Sequence, residues 1–313
     1  MDKCLVLGGN GFIGSAIVRH LVKDNVPVRV MDRSCPNSRS LGEVIDNIEY
    51  VEKDFFNERA LADALTGAKN IFHCITSTYP GEANDNPIFD VETNIIGTIK
   101  LLENLKPYYN SIRLFFLSSG GAIYGNPIGL PISELHPTEP ISSYGISKLT
   151  IERYLYMHKV LFGLNYVSFR ISNPYGETQD PRAGFGMVTT VLYKTMVGDT
   201  IEVWGDGNNV RDYVYIDDAV GAIVRAKDID TKENIYNIGS GSGTSINELL
   251  EIVKNVTGKN PIVKYTPRRA FDVEKNYLDI ERAKSEFNWK PEFDMSSGIE
   301  KVWKHMINSG NKL

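Results

Sequence analysis

Residues 4–14 read CLVLGGNGFIG, a short apolar run followed by a glycine-rich turn. Gly8, Gly11 and Gly14 give the spacing G-x-x-G-x-x-G, and apolar residues then recur at helical spacing until Asn25. This order predicts a buried strand, a tight turn and a helix. The glycines allow the backbone N–H groups at the positive end of the helix to approach a pyrophosphate.

Strand and helix periods alternate along the first half of the chain. The apolar runs that predict further strands lie at residues 26–31, 48–51, 70–75, 112–117 and 166–171. The helical patterns lie at residues 59–65, 91–105 and 144–162. Such alternation implies right-handed crossovers and a parallel sheet covered on both faces. We therefore predict an α/β fold with a doubly wound, Rossmann-type parallel sheet and a ligand at its C-terminal strand ends.

The alternation of strand and helix patterns ends after Asn173, where a loop rich in Gly, Asp and Pro begins. A helical pattern follows at residues 187–197, with short strand patterns at 201–204 and 262–265. This part of the chain predicts a second, smaller α/β domain.

Two later segments, residues 217–227 and 235–238, are typical of a helix and a strand that return to the first domain. The two predicted domains are therefore interleaved. The predicted cofactor domain comprises residues 1–173 and returning segments at about 212–239. The predicted substrate domain comprises residues 174–211 and 240–313.

Length and composition limit the class of protein. A chain of 313 residues fits one large domain or two modest ones that share a core. Hydrophobic residues make up 42% of the chain and charged residues 23%, proportions that argue against disorder. The 34 Lys and Arg against 39 Asp and Glu give a net charge of −5. This charge is unlike that of a nucleic-acid binder, so we expect no nucleic-acid partner.

The cysteines indicate a reducing compartment. Cys4, Cys35 and Cys74 are widely spaced and form no CxxC pair, which fits neither a disulfide framework nor a zinc site. The first apolar stretch is too short for a secretory signal, and no stretch approaches the ~18 apolar residues of a membrane span. We expect a cytoplasmic protein without a metal or a membrane partner.

Asp32 closes the second predicted strand. A carboxylate at this point can accept hydrogen bonds from both ribose hydroxyls of a dinucleotide and repel a 2′-phosphate. Arg33 favours NADP instead, because a cation there can accommodate a 2′-phosphate. We expect NAD as the cofactor, with NADP as the alternative.

Tyr144 and Lys148 form a Tyr-x-x-x-Lys pair in the helical pattern at 144–162. At positions i and i+4 the two side chains share a helix face, so the ammonium can stabilise a phenolate. An unperturbed tyrosine titrates at about 10, and proton transfer at neutral pH therefore needs a neighbouring cation. Alone, this spacing occurs by chance on many helices and favours an ordinary surface tyrosine and lysine. The glycine turn and the Gly-rich strand end before the pair favour catalysis.

Further motifs resemble one family along nearly the whole chain. They are KDF at 53–55, NIIGT at 94–98, SSGGAIYG at 118–125, NPYG at 173–176, WGDG at 204–207, RDY at 211–213 and RAFD at 269–272. Together with the glycine turn and the Tyr–Lys pair, they make the chain similar to the extended short-chain dehydrogenases/reductases of the nucleotide-sugar epimerase and dehydratase group. Within that group the chain most resembles the UDP-glucose 4-epimerases.

The resemblance implies which residues contact the cofactor. Asp54 holds the position that binds adenine, and His73 lies in the strand-end segment that runs along the cofactor. The whole implied set is Gly8, Gly11, Phe12, Ile13, Gly14, Asp32, Arg33, Asp54, Phe55, His73, Asn94, Ser118, Tyr144, Lys148 and Ile171.

One position departs from the family pattern. Four residues before Tyr124, where the family usually carries a catalytic Ser or Thr, this chain has Gly120. That hydroxyl normally hydrogen-bonds the sugar oxygen whose proton the tyrosine removes. We take Ser119 as the candidate catalytic hydroxyl and Ser118 as its alternative, because the Gly120-Gly121 pair permits a different bend of the loop. Both serines could instead bond the backbone at the strand end.

The resemblance also implies a nucleotide-sugar substrate. Arg211 and Arg269 are the candidate cations for its diphosphate, because guanidinium groups match phosphate geometry. Asn276 falls where the family gates the C2 substituent of the sugar, and its intermediate size leaves glucose, N-acetylglucosamine and a uronic acid open. The implied substrate-binding set is Ser119, Tyr144, Asn173, Trp204, Arg211, Tyr213, Arg269, Asp272 and Asn276.

Two enzymatic functions remain open. The first is an NAD-dependent nucleotide-sugar 4-epimerase, which oxidises C4 to a 4-keto sugar and reduces it on the opposite face. The second is an NAD(P)H-dependent reductase of a nucleotide-activated 4-keto-6-deoxy sugar, which Gly120 and Arg33 keep open. Dehydration is disfavoured, because Gly121 and Ala122 replace the Asp-Glu pair of the 4,6-dehydratases. A non-enzymatic dinucleotide sensor is disfavoured because the Tyr–Lys pair is present.

The family commonly dimerises through two helices per subunit. The helical pattern at 144–162 would supply one of these helices. The resemblance therefore implies a homodimer, and the expected partners are a nucleotide sugar and a second copy of the chain.

Overall fold

The computed structural model describes residues 2–36, 38–183, 185–268 and 273–308 of the chain. Its strands are β1 (Lys3–Leu7), β2 (Val28–Asp32), β3 (Ile48–Glu52), β4 (Ala68–His73), β5 (Arg113–Ser119), β6 (Tyr166–Ile171), β7 (Asn173–Tyr175), β8 (Thr200–Trp204), β9 (Val210–Arg211), β10 (Tyr213–Tyr215), β11 (Ile235–Ile238), β12 (Thr244–Ser245), β13 (Ile262–Thr266) and β14 (Lys275–Asn276). Its helices are α1 (Phe12–Lys23), α2 (Ser38–Leu41), α3 (Glu58–Leu65), α4 (Pro80–Asp85), α5 (Pro87–Asp90), α6 (Gly97–Leu105), α7 (Ser143–Phe162), α8 (Met187–Val197), α9 (Ile216–Arg225), α10 (Ile246–Thr257), α11 (Glu281–Phe287) and α12 (Met295–Asn308). A π-helical stretch, Val91–Ile96, leads from α5 into α6.

The main sheet has the strand order β11-β6-β5-β4-β1-β2-β3. The pairs that join β3, β2, β1, β4 and β5 are all parallel. The strand order reverses between β1 and β4, and α/β sheets of this kind bind ligands beside such a reversal, at the C-terminal ends of the strands. The predicted doubly wound, Rossmann-type sheet is confirmed.

Helices cover both faces of this sheet. On one face, Leu5 of β1 shares a buried cluster with Leu101 of α6 and Ile151 of α7. On the other face α1 packs against β1 and β2, and its residues Ile17 and Leu21 are fully buried. Because both faces are covered, residues 4–7 of β1 are all apolar and fully buried rather than alternating.

The described chain divides into two compact units. The first contains residues 2–123, 140–170 and 220–236, and the second contains residues 124–139, 171–219 and 237–308. Residues 124–139 and 212–219, which the predicted boundaries assign to the first domain, group with the second unit. The assignment of the two units to cofactor and substrate stays a prediction.

Long-range pairing explains where residues 124–139 belong. The Ile132 N–H donates to the Tyr277 carbonyl at 2.9 Å, and the Asp279 N–H donates to the Ile132 carbonyl at 2.9 Å. The Tyr124 hydroxyl donates to Asn237 Oδ1 at 2.7 Å. These partners are far apart in the sequence, so no local pattern predicts them.

The second unit is a smaller α/β structure, as predicted. β7 pairs in parallel with β10, β8 pairs in parallel with β13, and β9 lies between β12 and β14. Helices α8, α10 and α12 pack together. Their buried residues Leu192, Val253 and Val302 are apolar, and they provide this unit with its own core.

Candidate active site

The glycine turn joins β1 to α1. Gly8 has a φ of +77°, in the left-handed region that favours glycine. A Cβ atom on Gly14 would lie 2.2 Å from the Gly8 carbonyl oxygen, so the helix approaches the turn more closely than a side chain allows. Gly11 is the N-cap of α1, and the first helical residues Phe12 and Ile13 are half-buried. The turn thus presents the positive end of α1 at the sheet edge, which suits a phosphate.

Asp32 lies beside this turn at the end of β2. Its Oδ2 accepts the Asn10 N–H at 3.1 Å, and its Oδ1 accepts the Ser34 N–H at 3.4 Å. The next residue, Arg33, is exposed, and so is Asp54 after β3. The structure therefore places the carboxylate predicted to bind ribose directly against the predicted phosphate turn.

Phe55 and His73 pack beneath α6. Their rings lie 6.5 Å apart, and a Cβ atom on Gly97 would lie 3.0 Å from the Phe55 ring. His73 Nε2 is 2.9 Å from the Thr98 hydroxyl. Burial lowers the pKa of His73 to about 3, and the nearby charge of Lys148 adds to the shift. His73 is therefore a neutral imidazole at physiological pH.

Two buried polar atoms lie near the C-terminal ends of β4 and β5. His73 Nδ1 and Ser118 Oγ have no hydrogen-bond partner among the described residues. Leaving a buried polar group unsatisfied costs about 1–3 kcal/mol, so native sites usually supply a partner. Together with the glycine turn and Asp32, these two atoms fit a site completed by a polar dinucleotide.

Lys148 lies on α7, and its side chain is buried. Its Nζ donates to the Leu117 carbonyl at 2.8 Å and lies 5.6 Å from the centre of the Tyr144 ring. Burial lowers the pKa of Lys148 to about 8, while the negative charges of Asp90 and Glu152 oppose this shift. Lys148 therefore keeps its proton at neutral pH but holds it less tightly than an exposed lysine.

Tyr144 meets the end of β5. Desolvation raises the pKa of Tyr144 to about 12, the neighbouring Ser119 side chain lowers it, and the charge of Asp90 raises it. The structure therefore brings together the three residues predicted to be catalytic, Ser119, Tyr144 and Lys148.

The start of α7 fits closely against the loop that contains Gly120. A Cβ atom on Gly145 would lie 2.5 Å from the Ala122 carbonyl oxygen. The Ser142 side chain accepts the Gly145 N–H at 3.2 Å and caps the helix. This close approach accounts for the glycine that follows Tyr144.

Asn94 lies in the π-helical stretch, where its side-chain oxygen and its side-chain nitrogen both form hydrogen bonds with other residues of the chain. Its Oδ1 accepts the Ser77 N–H at 3.1 Å, and its Nδ2 donates to Thr78 Oγ1 at 3.0 Å and to Asp90 Oδ1 at 2.9 Å. Asp90 is fully buried. Asp90 is not among the residues predicted from the sequence, because a lone acid before an apolar helical pattern is normally a surface residue.

In the second unit, predicted substrate residues surround Asp212. Asn173 Nδ2 donates to the Asp212 carbonyl at 2.9 Å, and Arg211 pairs in register with Asn276. Asn276 is 1% exposed and Tyr213 is 6% exposed. Burial raises the pKa of Tyr213 to about 12, and Arg211 opposes the shift.

Other predicted residues lie apart from this group. Trp204 ends β8 in a different two-stranded sheet and is 37% exposed. Ile171 begins one segment of the second unit. Arg269 and Asp272 lie outside the described residues.

Membrane-spanning helices and metal clusters are both absent from the described residues. None of the helices there has both the length and the apolar character needed to cross a membrane. The same part of the chain contains no group of three or more His, Cys, Asp or Glu side chains that could hold a metal ion.

Comparison with known proteins assigns the family. Residues 4–239 match the NAD dependent epimerase/dehydratase family. The UDP-glucose 4-epimerase of Mycolicibacterium smegmatis is 33% identical over 307 residues, which cover 96% of this chain and 97% of that protein. Two crystal structures of UDP-glucose 4-epimerases are also similar.

The structure from Thermotoga maritima with UDP-glucose has a TM-score of 0.90 at 33% identity and covers 98% of this chain and 99% of that one. The Thermus thermophilus complex with NAD has a TM-score of 0.87 at 32% identity and covers 97% of this chain and 98% of that one. With the family match spanning most of the sequence, the chain belongs to the NAD dependent epimerase/dehydratase family.

Proposed function

We propose that this chain is an NAD-dependent nucleotide-sugar 4-epimerase that interconverts UDP-hexoses such as UDP-glucose and UDP-galactose, or their N-acetyl forms. The sugar is oxidised at C4 to a 4-keto sugar and then reduced on the opposite face. The proposal rests above all on the placement of Ser119 beside Tyr144, whose pKa it lowers, with Lys148 buried beside the phenol. The relatives named UDP-glucose 4-epimerase support the choice of substrate.

The first unit supplies the cofactor site. The glycine turn binds the pyrophosphate, and Asp32 binds the adenosine ribose. When bound, oxidised NAD supplies a hydride acceptor and a positive charge. The residues that would hold it are Gly8, Gly11, Phe12, Ile13, Gly14, Asp32, Arg33, Asp54, Phe55, His73, Asn94, Ser118, Tyr144, Lys148 and Ile171.

Tyr144 moves the proton of the C4 hydroxyl. Its raised pKa, about 12, means that the desolvated phenol alone holds its proton at neutral pH. The Ser119 side chain lowers that pKa, and the Lys148 ammonium favours the phenolate. Ser119 also bonds the sugar oxygen while Tyr144 takes its proton and later returns it.

The second unit supplies the substrate site. Arg211 and Arg269 bind the diphosphate, and Asn276, buried beside Arg211 in the sheet, limits the C2 substituent of the sugar. Trp204, Tyr213 and Asn173 contact the nucleoside and the sugar. The net charge of −5 does not oppose this, because local cations hold the anion.

The enzyme forms a homodimer through α7. Tyr156, Val160 and Leu161 lie on this helix and are 58%, 63% and 62% exposed, so α7 carries an apolar face that a second copy can bury. Sedimentation measures the result: the chain sediments as a dimer, and Val160→Asp/Leu161→Asp sediments as a monomer. A double variant that remains dimeric contradicts the interface.

The protein acts in the cytoplasm. Cys4, Cys35 and Cys74 all carry free thiols, which suits a reducing compartment. Cell fractionation with an antibody against the chain tests this location, and recovery in a secreted fraction contradicts it.

The function is tested with protein purified without added cofactor. Denaturation should release NAD, and the native protein should interconvert UDP-glucose and UDP-galactose, or their N-acetyl forms, without added NADH. Tyr144→Phe should lower turnover by about 100-fold or more. If no pair interconverts and a nucleotide-activated 4-keto-6-deoxy sugar instead oxidises NAD(P)H stoichiometrically, the chain is a reductase and the epimerase proposal fails.

A further inference from the structure

Asp90 ends α5, and its carboxylate is fully buried. Its Oδ1 accepts hydrogen bonds from Asn94 Nδ2 at 2.9 Å and from the Thr78 hydroxyl. Its Oδ2 accepts Ser143 Oγ at 3.0 Å and Ser147 Oγ at 2.5 Å. Each carboxylate oxygen therefore binds two uncharged donors.

These donors come from three separate segments. Thr78 belongs to the segment after β4, Asn94 to the π-helical stretch, and the two serines to the first turns of α7. The Asn94 Oδ1 accepts the Ser77 N–H at 3.1 Å, which joins the π-helical stretch to the same segment. Asp90 thus links three segments of the first unit through one side chain. π-Helical insertions of this kind are frequent at functional sites.

The serines that Asp90 binds directly precede the candidate catalytic residues. Ser143 comes before Tyr144, and Ser147 comes before Lys148. One carboxylate oxygen bonds both serine hydroxyls, which are one helical turn apart. These two bonds restrain the rotation of α7 about its axis and its shift along that axis.

Such restraint matters because Tyr144 must reach Ser119 and Lys148 must reach the Leu117 carbonyl at the same time. A displacement of about 1 Å in a reacting group can cost about 100-fold in rate. We propose that Asp90 is a positioning residue: by binding Ser143 and Ser147, it holds the first turns of α7 so that the Tyr144 phenol and the Lys148 ammonium stay aligned with the end of β5. The kinetic part of this inference rests on the proposed function.

The charge of Asp90 makes the pH dependence of turnover a test of the proposal. That dependence would not change if Asp90 only packed against its neighbours. The titratable groups that face the Tyr–Lys pair are His73 and Cys74 at the end of β4, Asp90 on α5 and Glu152 on α7. The charge of Asp90 raises the pKa of both Tyr144 and Lys148. Turnover needs Tyr144 without its proton and Lys148 with its proton. Removing the charge therefore shifts both limbs of the pH profile to lower pH.

The kinetic test uses NAD-loaded Asp90→Asn protein. The matched control is Asp85→Asn, which makes the same charge change at an exposed position of α4. We expect kcat of Asp90→Asn to fall by about 10- to 100-fold with little change in KM, and the pH optimum to move down by about one unit. Asp85→Asn should keep the kcat and the pH optimum of the unsubstituted chain. An unchanged kcat, or a lower kcat with an unmoved pH optimum, overturns the proposal.

A second measurement needs no substrate. The ring carbon signal of 13C-labelled Tyr144, identified by its loss in Tyr144→Phe, reports the pKa of this phenol in the NAD-loaded protein. In Asp90→Asn this pKa should fall by about one unit. An unchanged pKa overturns the proposal even if the chain epimerises sugars. A chain that epimerises no sugar rejects the proposed function, while the Tyr144 titration still tests Asp90.

If Asp90→Asn does not fold, the variant Ser143→Ala/Ser147→Ala tests the positioning role of Asp90 instead. It keeps the buried charge and removes the two bonds to α7. Its kcat should fall by about 10-fold or more at unchanged NAD content, and restoring one hydroxyl as Ser143→Thr/Ser147→Ala should recover part of the loss. A double alanine variant with the kcat of the unsubstituted chain overturns the proposal.

Discussion

The side chain of Ser119 lies close enough to the phenol of Tyr144 to lower its pKa. Ser119 is the last residue of β5, and Tyr144 is the second residue of α7, so the contact joins the sheet to the candidate catalytic helix. The family pattern places a hydroxyl at position 120, which is glycine in this chain. The contact supports Ser119, one residue earlier, as the hydroxyl that serves Tyr144.

Ser119→Ala should therefore slow epimerisation. The Ser119 side chain lowers the pKa of Tyr144, so the loss of its hydroxyl raises that pKa further. We expect kcat to fall by about 10- to 100-fold and the acidic limb of the pH profile to move to higher pH. Ser111→Ala, which removes an exposed serine of the same unit, serves as the control. A Ser119→Ala profile that superposes on that of the unsubstituted chain would exclude Ser119 from proton transfer.

Lys148→Met should abolish turnover and change how stability depends on pH. Lys148 has an ordinary pKa of 10.5 in the unfolded chain and a pKa of about 8 when folded. Between these values the unfolded chain binds more protons, so this lysine makes the free energy of unfolding rise with pH. The rise amounts to roughly 3 kcal/mol at most and is absent below pH 8.

Urea unfolding at pH 7 to 10 measures this effect. The free energy of the unsubstituted chain should rise relative to that of Lys148→Met above about pH 8, the folded pKa. Lys304→Met, on the exposed face of α12, should follow the unsubstituted chain. Parallel curves for all three proteins would show that Lys148 is not desolvated as the structure indicates.

Gly14→Ala should lose the cofactor. The added methyl group would lie 2.2 Å from the Gly8 carbonyl oxygen, so α1 has to move away from the turn. We expect NAD content after purification to fall by about 10-fold or more and the free energy of unfolding to fall by about 1–3 kcal/mol. Gly81→Ala is the control, because its methyl group meets only Tyr79 at 3.8 Å. Retention of NAD in Gly14→Ala would contradict the phosphate turn.

Asp32→Asn should weaken the preference for NAD over NADP. The substitution removes the charge that repels a 2′-phosphate, while the new side chain can still accept the Asn10 N–H. We expect the ratio of the Kd for NADP to the Kd for NAD to fall by about 10-fold, with Arg33 available to the added phosphate. Calorimetric titration with both dinucleotides measures the ratio. Asp46→Asn, in the 3-10 helix Ile45–Asn47, should leave it unaltered, and an unaltered ratio in Asp32→Asn would place the ribose elsewhere.

The sequence alone determined the features that depend on neighbouring residues. The apolar run 4–7, the glycine turn and the helical period after it predict β1, α1 and the space for a phosphate, because strand and helix patterns repeat within a few residues. The Tyr144–Lys148 spacing likewise predicts a shared helix face, and the structure has α7 there.

Tertiary structure decided the features that depend on residues far apart in the chain. Only the folded chain shows that Ser119 reaches Tyr144, that Asp90 binds Ser143 and Ser147, and that residues 124–139 pair with the second unit. The short strands β9, β12 and β14 were not predicted either, since strands of two residues have no period of their own. Local patterns report backbone preference and burial, whereas these contacts arise when the sheet and its helices pack together.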